Sequence, residues 1–286
     1  MRTVSEESIQ FICEALNLSR PGYYQWLEQP ERSVDNAGLS LKIIELHKEA
    51  KGRYGVERIY EGLKYDGETA SRNRVHRQMK VLGIRGKVKR RFIPKTTINN
   101  PSQTKSPRIF KGSQTPVTRP NEVWVGDITY VHTKEGFLYL AIWLDIFSRM
   151  IVGWSMAEHM EESLVSSALK KACLAREIKA GENLLTHTDQ GSQYEAKVYR
   201  KILKLLAITQ SMSRKGNCYD NAFAETFFKT LKNELEFQVF ESKELAAKHI
   251  FEFIEAWYNT ERIHSSLGFM SPANYEKKFH ETNQAA

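Results

Sequence analysis

The chain has 286 residues, of which 41% are hydrophobic and 27% charged, enough for one large domain or two to three small ones. No apolar run reaches bilayer-spanning length, no charged-then-apolar leader opens the chain, and Cys13, Cys173 and Cys218 form no CxxC pair. A membrane-spanning protein, a signal peptide, a zinc ribbon and a disulfide framework are therefore all disfavoured, and a reducing cytoplasmic setting is expected. The net charge of +8 is unevenly spread: residues 1–115 hold 22 Lys and Arg against 12 Asp and Glu, and residues 116–286 hold 20 against 22. A basic first part of net +10 beside a remainder of net −2 predicts a polyanion partner, most simply nucleic acid.

Residues 1–32 read as two helices around a short turn. Ile9, Ile12, Cys13 and Leu16 recur at helical spacing, Asn17-Leu18 ends the first helix, and Ser19 caps the second ahead of Pro21 and Gly22. This suits a helix-turn-helix segment and equally a plain helical hairpin. A polar break, ERSVDNAG, precedes a second helical domain over 38–95. LSLKIIELHKEAKG and VERIYEGLKYDG read as helices closed by Gly52 and Gly67. Ser71 then precedes RNRVHRQMKVLGI, where Val75, Met79 and Leu82 share one face while Arg72, Asn73, Arg74 and Arg77 lie on the others. Such a helix packs inward and offers Arg and Asn to a DNA groove. A basic tail follows, with Lys87, Lys89, Arg90 and Arg91 within RGKVKRRFIPK, a run suited to a phosphate backbone. Residues 96–120, rich in Thr, Ser, Asn, Gln and Pro without periodicity, read as an extended linker.

From residue 121 the pattern changes. EVWVGDITYVHT, FLYLAIWLDIFS and MIVGWSMAE read as a three-strand meander with turns at Lys134-Glu135-Gly136 and Ser148-Arg149. An amphipathic helix over about 161–179 follows, with Leu164, Ala168, Ala172 and Ala175 on one face. Then come a strand in NLLTHTD, a helix over 195–206, a strand in ITQSMS and a helix over 220–235. A last helix, 242–258, is expected to turn Leu245, His249, Ile250, Phe253, Ile254 and Trp257 inward. The fold class is α/β: a mixed five-stranded sheet flanked by helices over 121–275, preceded by helical domains and followed by a tail over 276–286.

Three carboxylates stand out in this pattern. Asp127 lies within the first strand, Asp189 at the end of the fourth, and Glu225 on the helix after the fifth, with 35 residues between the last two. If strands one and four are neighbours, the three converge at one edge. Crowded carboxylates are costly unless cations neutralise them, and an all-oxygen set suits Mg²⁺ or Mn²⁺. Two ions about 3.5–4 Å apart would stabilise the attacking and leaving oxygens of a phosphodiester displacement. Asp145 competes for a place in the set and is read as a strand-end residue. Lys229 and Lys232 share a helix face with Glu225 and can hold phosphate. His187 suits either a structural histidine or a group that positions the scissile phosphate, and Arg262 and His264 are candidate supporting residues.

At these residues the chain resembles the OrfB-type transposases of two-frame bacterial insertion sequences, within the retroviral-integrase-like group. The resemblance rests on NEVWVGDITYV, YLAIWLDIFSRMIVGW, HTDQGSQY, QSMSRKGNCYDNAFAETFFKTLKNE and YNTERIHSSLGFMSP, with GRYGVERIYEGL and VHRQMKVLGIRG upstream. It implies a ribonuclease-H-like core with Asp127, Asp189 and Glu225 as Mg²⁺ ligands, and a bacterial, nucleoid-associated enzyme. It implies hydrolysis at the element end and attack of the freed 3′-OH on a second phosphodiester, in a homo-oligomer on terminal inverted repeats and target DNA. It also implies an upstream OrfA product, commonly fused by ribosomal frameshifting; this chain carries no heptad zipper of its own. Unlike retroviral integrases, it offers Cys13 no partner for a zinc module. Two other readings stand beside it: a DNA-binding regulator without catalysis, and a nuclease of the same fold that only cuts.

Overall fold

The computed structural model describes residues 13, 19–27, 34–86, 106–213, 222–235 and 239–284. Two compact units divide the chain, Met1–Lys87 and Val88–Ala286. In the first, helix α1 spans Arg20–Leu27, α2 Val34–Glu49, α3 Val56–Tyr65 and α4 Arg72–Val81. Ser19 caps α1 as expected, its Oγ accepting from Gly22 N at 3.2 Å. Helix α2 begins within the expected polar break and runs on to Glu49. There Gly52, at φ 78°, lets its N–H reach His47 O at 2.8 Å and closes the helix. Helices α2, α3 and α4 pack on one another through Leu39, Ile43, Ile59, Leu63, Val75 and Met79, each at most 3% exposed. Leu82, expected on that face, is half-buried. Ser71 caps α4 by accepting from Arg74 N at 3.4 Å.

The second unit is built on a five-stranded sheet: β1 Val123–Thr133, β2 Gly136–Asp145, β3 Ile151–Ala157, β4 Leu185–Thr188 and β5 Thr209–Met212, ordered β3-β2-β1-β4-β5. The β1-β2-β3 meander is antiparallel, and β4 and β5 add in parallel. Helix α5, Glu162–Ala175, crosses back from β3 and packs on β2 and β3. It comes close because Gly153 lacks a side chain: a Cβ there would lie 2.6 Å from Ala172 N. Leu164, Ala168 and Ala172 face the sheet as expected, whereas Ala175, in the last turn, is exposed. Helix α6, Lys197–Leu205, joins β4 to β5, and its Tyr199 and Leu203 join the core formed with α5.

Helix α7, Ala222–Glu234, packs on β1 and β2 through Ala224, Phe227, Phe228 and Leu231. Helix α8, Lys243–Phe251, continues into a π-helical stretch, Glu252–Tyr258. The widened turn brings Phe253, Ile254, Trp257 and Tyr258 inward together. Leu245 and His249, expected inward, are exposed; Ala246 and Ile250 hold the inner face, so the stripe starts one residue later than the pattern suggested. Asn259 then clamps edge strand β3, accepting from Ile151 N at 2.9 Å and donating to Ile151 O at 3.0 Å.

Two expected boundaries fall differently. Ser106–Lys111, within the expected linker, lies against β5, with Phe110 fully buried. Helix α9, Pro272–Gln284, runs through the expected end of the core at 275. Its Glu276 is 6% exposed and forms two 2.6 Å bonds with Arg176, so what was read as a tail is a docked helix.

Candidate active site

Parallel pairing of β1 with β4 runs Val123–Leu185, Trp124–Thr186 and Val125–His187. Asp127 and Asp189 each lie two residues beyond the last pair, on the same sheet face as Val125 and His187. Adjacent parallel strands stand about 4.8 Å apart, so the two residues leave neighbouring strands side by side. Gly126 leaves room for its cross-strand partner Trp143, whose ring would lie 2.7 Å from a Cβ there. Glu225 sits in the first turn of α7, where the helix dipole favours a carboxylate.

The charge of Asp127 responds to both other carboxylates. Asp127 is only partly accessible and densely surrounded. Its carboxyl is held well above the usual range by that desolvation first, then by the charge of Asp189, and further by that of Glu225. A hydrogen bond from Ile128 N at 2.8 Å and the charge of Lys232 oppose the rise. Asp189 Oδ1 accepts from Gly191 N at 3.0 Å. Among the described residues no three His, Cys, Asp or Glu side chains are drawn together tightly enough to enclose an ion as they stand. The chemistry of the set nevertheless suits a hard divalent cation: the available donors are carboxylate oxygens, and mutual repulsion is what a cation would relieve.

Lys232 reaches this site from α7. Burial lowers its pKa while Asp127 raises it, and its ammonium lies 5.2 Å from the centre of the Tyr130 ring. Lys229 is 64% exposed, with Nζ 4.0 Å from Glu225 Oε2. Tyr194, which the sequence reading passed over, is buried beside the pair. Its hydroxyl is pushed well above its ordinary pKa by burial and then by Asp127 and Asp189. A lone tyrosine five residues after Asp189, within QGSQY, was the available signal.

Other candidates are placed differently. His187 is fully buried and bonds Ser211 Oγ through Nδ1 at 2.9 Å, which leaves it no direct access to a phosphate. Arg262 is 7% exposed, stacks 5.4 Å over Tyr258 and hydrogen-bonds the ring of His264, which meets Tyr258 edge-on. Asp145 is a strand-end residue, accepting from Asn121 N at 2.7 Å and Phe147 N at 2.8 Å. In the amino-terminal unit Arg72 pairs with Glu57, and Arg74 donates to Asn36 at 3.3 Å. Asn73 and Arg77 remain exposed on α4. Lys87, Lys89, Arg90 and Arg91 lie outside the described residues, as do Ile9, Ile12, Leu16 and Cys218.

Comparison with known proteins follows the same division. Residues 33–92 match an HTH-like domain, and residues 117–218 and 206–272 match an integrase core domain. The transposase for insertion sequence element IS904 of Lactococcus lactis is 43% identical over 256 residues, covering 87% of this chain and 96% of that protein. Transposase InsF for insertion sequence IS3A of Escherichia coli is 34% identical over 290 residues, covering 96% of each. Among solved structures, the HTLV-2 integrase catalytic core domain in complex with magnesium aligns at TM-score 0.42 with 18% identity, over 58% of this chain and 99% of that one. No helix among the described residues is long and apolar enough to cross a membrane. With an integrase core behind an HTH-like domain, and relatives matched along nearly their whole length, the chain belongs to the integrase-core family of insertion-sequence transposases.

Proposed function

We propose that Asp127, Asp189 and Glu225 are the catalytic carboxylates of an insertion-sequence transposase and together hold Mg²⁺ or Mn²⁺, two ions per site. The observation that carries this reading is the electrostatic crowding of Asp127 by Asp189 and Glu225 where β1 and β4 part. A desolvated carboxylate facing two others is destabilising without a cation, and a binding site for one is the economical reason to retain it. When bound, such ions lower the pKa of water and stabilise charge on phosphoryl oxygens.

The chain's own groups orient the reaction. Lys232, beside Asp127, and Lys229, on the same face of α7, hold non-bridging phosphate oxygens of the element end. Water attacks the terminal phosphorus, the P–O3′ bond breaks, and the 3′ oxygen leaves as a hydroxyl. That 3′-OH then attacks a phosphorus of target DNA, forming a new P–O bond as the target's own P–O3′ bond breaks. No covalent protein intermediate is needed. In the amino-terminal unit, Asn73 and Arg77 on the exposed side of α4, supported by Arg72 and Arg74, contact the terminal inverted repeats. The basic run Lys87, Lys89, Arg90 and Arg91 follows the phosphate backbone. The active assembly is a homo-oligomer on DNA, with an OrfA product as its partner or fused to it.

The test is strand cleavage and joining of labelled element-end DNA in Mg²⁺, with OrfA added in a parallel arm. Asp127→Asn, Asp189→Asn and Glu225→Gln should each lower cleavage at least about 10³-fold, the several kcal/mol expected for loss of a metal-held transition state. Each should retain DNA binding. Wild-type cleavage by any variant removes that residue from the set, and cleavage without joining points to a nuclease.

A further inference from the structure

The stretch Ser106–Lys111 belongs to what the composition marks as linker, yet it is fastened to the sheet at four points. Ser106 Oγ donates to Gln210 Oε1 at 2.8 Å, and Met212 N donates to Pro107 O at 3.3 Å. The N–H groups of Ile109 and Phe110 both donate to Ser211 Oγ, at 2.9 and 3.0 Å. A hydroxyl has two acceptor lone pairs and one proton. With both lone pairs taken by the main chain, Ser211 Oγ also lies within hydrogen-bond distance of His187 Nδ1, at 2.9 Å. One serine on β5 thus ties the incoming chain to the histidine on β4.

The Phe110 side chain completes the tie. It is fully buried, meets the His187 ring edge-on with centroids 5.1 Å apart, and lies 6.5 Å from the ring of Phe223 on α7. The Arg149 guanidinium sits 4.0 Å from the Phe223 ring centre. His187 precedes Asp189 by two residues, and Phe223 precedes Glu225 by two. A single ring therefore spans the strand that delivers one carboxylate and the helix that delivers another. Gln210 adds a second route: its Nε2 donates to Tyr194 O at 2.8 Å, and Tyr194 lies beside Asp127 and Asp189.

We infer that Ser106–Lys111 is a strap that sets the spacing between Asp189 and Glu225, with Phe110, His187 and Ser211 as positioning residues for the carboxylate site. A metal site tolerates displacements of only about 0.5 Å, so groups that hold its ligands in register act on metal affinity without touching the metal. The inference rests on the reading of those carboxylates as ligands given above.

The experiment uses the full chain and Mn²⁺ alone as probe. Binding is followed by the electron paramagnetic resonance signal of free Mn²⁺, with a thermal midpoint for each variant and a Mg²⁺ titration of end cleavage. Phe110→Ala should weaken Mn²⁺ binding by about 10–100-fold, the usual range for outer residues of a metal site. It should raise the Mg²⁺ needed for half-maximal cleavage by a similar factor while the rate at saturating Mg²⁺ recovers. Phe110→Leu, which refills the space, should restore most of the affinity. Ser211→Ala, which keeps the ring but releases the main chain, should fall between them, and it carries the test if Phe110→Ala does not fold. Asp189→Asn serves as reference. If Asp189→Asn loses Mn²⁺ while folded Phe110→Ala and Ser211→Ala bind it like wild type, the strap is overturned and the ligand reading stands. If Asp189→Asn itself binds like wild type, the ligand reading falls and the strap with it.

Discussion

In the amino-terminal unit Lys42 meets Glu68 at 2.6 Å with side chains 51% and 24% exposed, whereas in the core Arg176 meets Glu276 at 2.6 Å with side chains 16% and 8% exposed. The distances match and the energetics do not. An exposed pair gains little because water already solvates both partners, and it is readily given up to a phosphate. A buried pair has surrendered its hydration, so each partner depends on the other. An exposed pair such as Lys42–Glu68 therefore costs little to exchange for another partner. The core has exposed pairs of its own, such as Lys134–Glu241, but its buried charges are either locked into the fold, as in Arg176–Glu276 and Asp145, or crowded, as at Asp127.

The sharpest test of this contrast is truncation on each side. Glu276→Ala should destabilise the core by about 3–5 kcal/mol, because Arg176 is left charged and buried. Glu68→Ala should cost under about 1 kcal/mol, because Lys42 returns to water. Denaturant midpoints of the two variants measure the difference, and equal losses would remove the distinction.

A smaller effect follows from Asp145, whose carboxyl burial pushes up to about 6 from an ordinary 3.8, against the hydrogen bonds from Asn121 and Phe147. The native state holds this proton more tightly than the unfolded chain. Its contribution to stability is thus full below about pH 4 and lost as pH rises through about 6. The loss amounts to at most about 3 kcal/mol for a shift of roughly two units. Asp145→Asn should flatten the fall in stability between pH 4 and 7 relative to wild type. An unchanged slope in denaturant titrations across that range would show that other groups set it.

The smallest effect on stability, and the most diagnostic for DNA, belongs to the surface of α4. Replacing Arg72, Arg74 and Arg77 together by Gln should cost little stability. It should weaken binding to element-end DNA and reduce the slope of log affinity against log salt by up to about 3, near one per lost phosphate contact. Binding isotherms at several salt concentrations measure it. A slope like that of wild type would move the DNA contact away from this helix.

Much of the candidate site was legible beforehand because its parts carry local signals. Asp127 follows the continuous apolar run Val123–Val125 of a strand, Asp189 closes a short β-branched run, and Glu225 opens an apolar-faced helix. Adjacency of strands one and four, a condition of the reading, is what the sheet order shows. His187 shows where local reading stops: alternation puts it on the face of Asp189, but Phe110 and Ser211, which bury it, come from residues 77 and 24 positions away. The isolated pair Ile109-Phe110 in a polar stretch was the one hint of the strap. Arg262 reads in TERIHSSLG as a candidate supporting residue, and only the fold shows it buried against Tyr258.

By itself the sequence determined the five strands and the helices between them, and it placed Asp127 on a strand, Asp189 at a strand end and Glu225 on a helix. Those features rest on periodicity and turn chemistry, which act over a few residues. Tertiary structure alone decided that a linker segment becomes a strap, that a tail becomes a docked helix, and which charges are buried. Arg176 and Glu276 lie 100 residues apart, and Asn259 reaches Ile151 across 108. Pairings at such separations are selected by what each partner loses when it leaves water, and that cost exists only once the chain has folded around them.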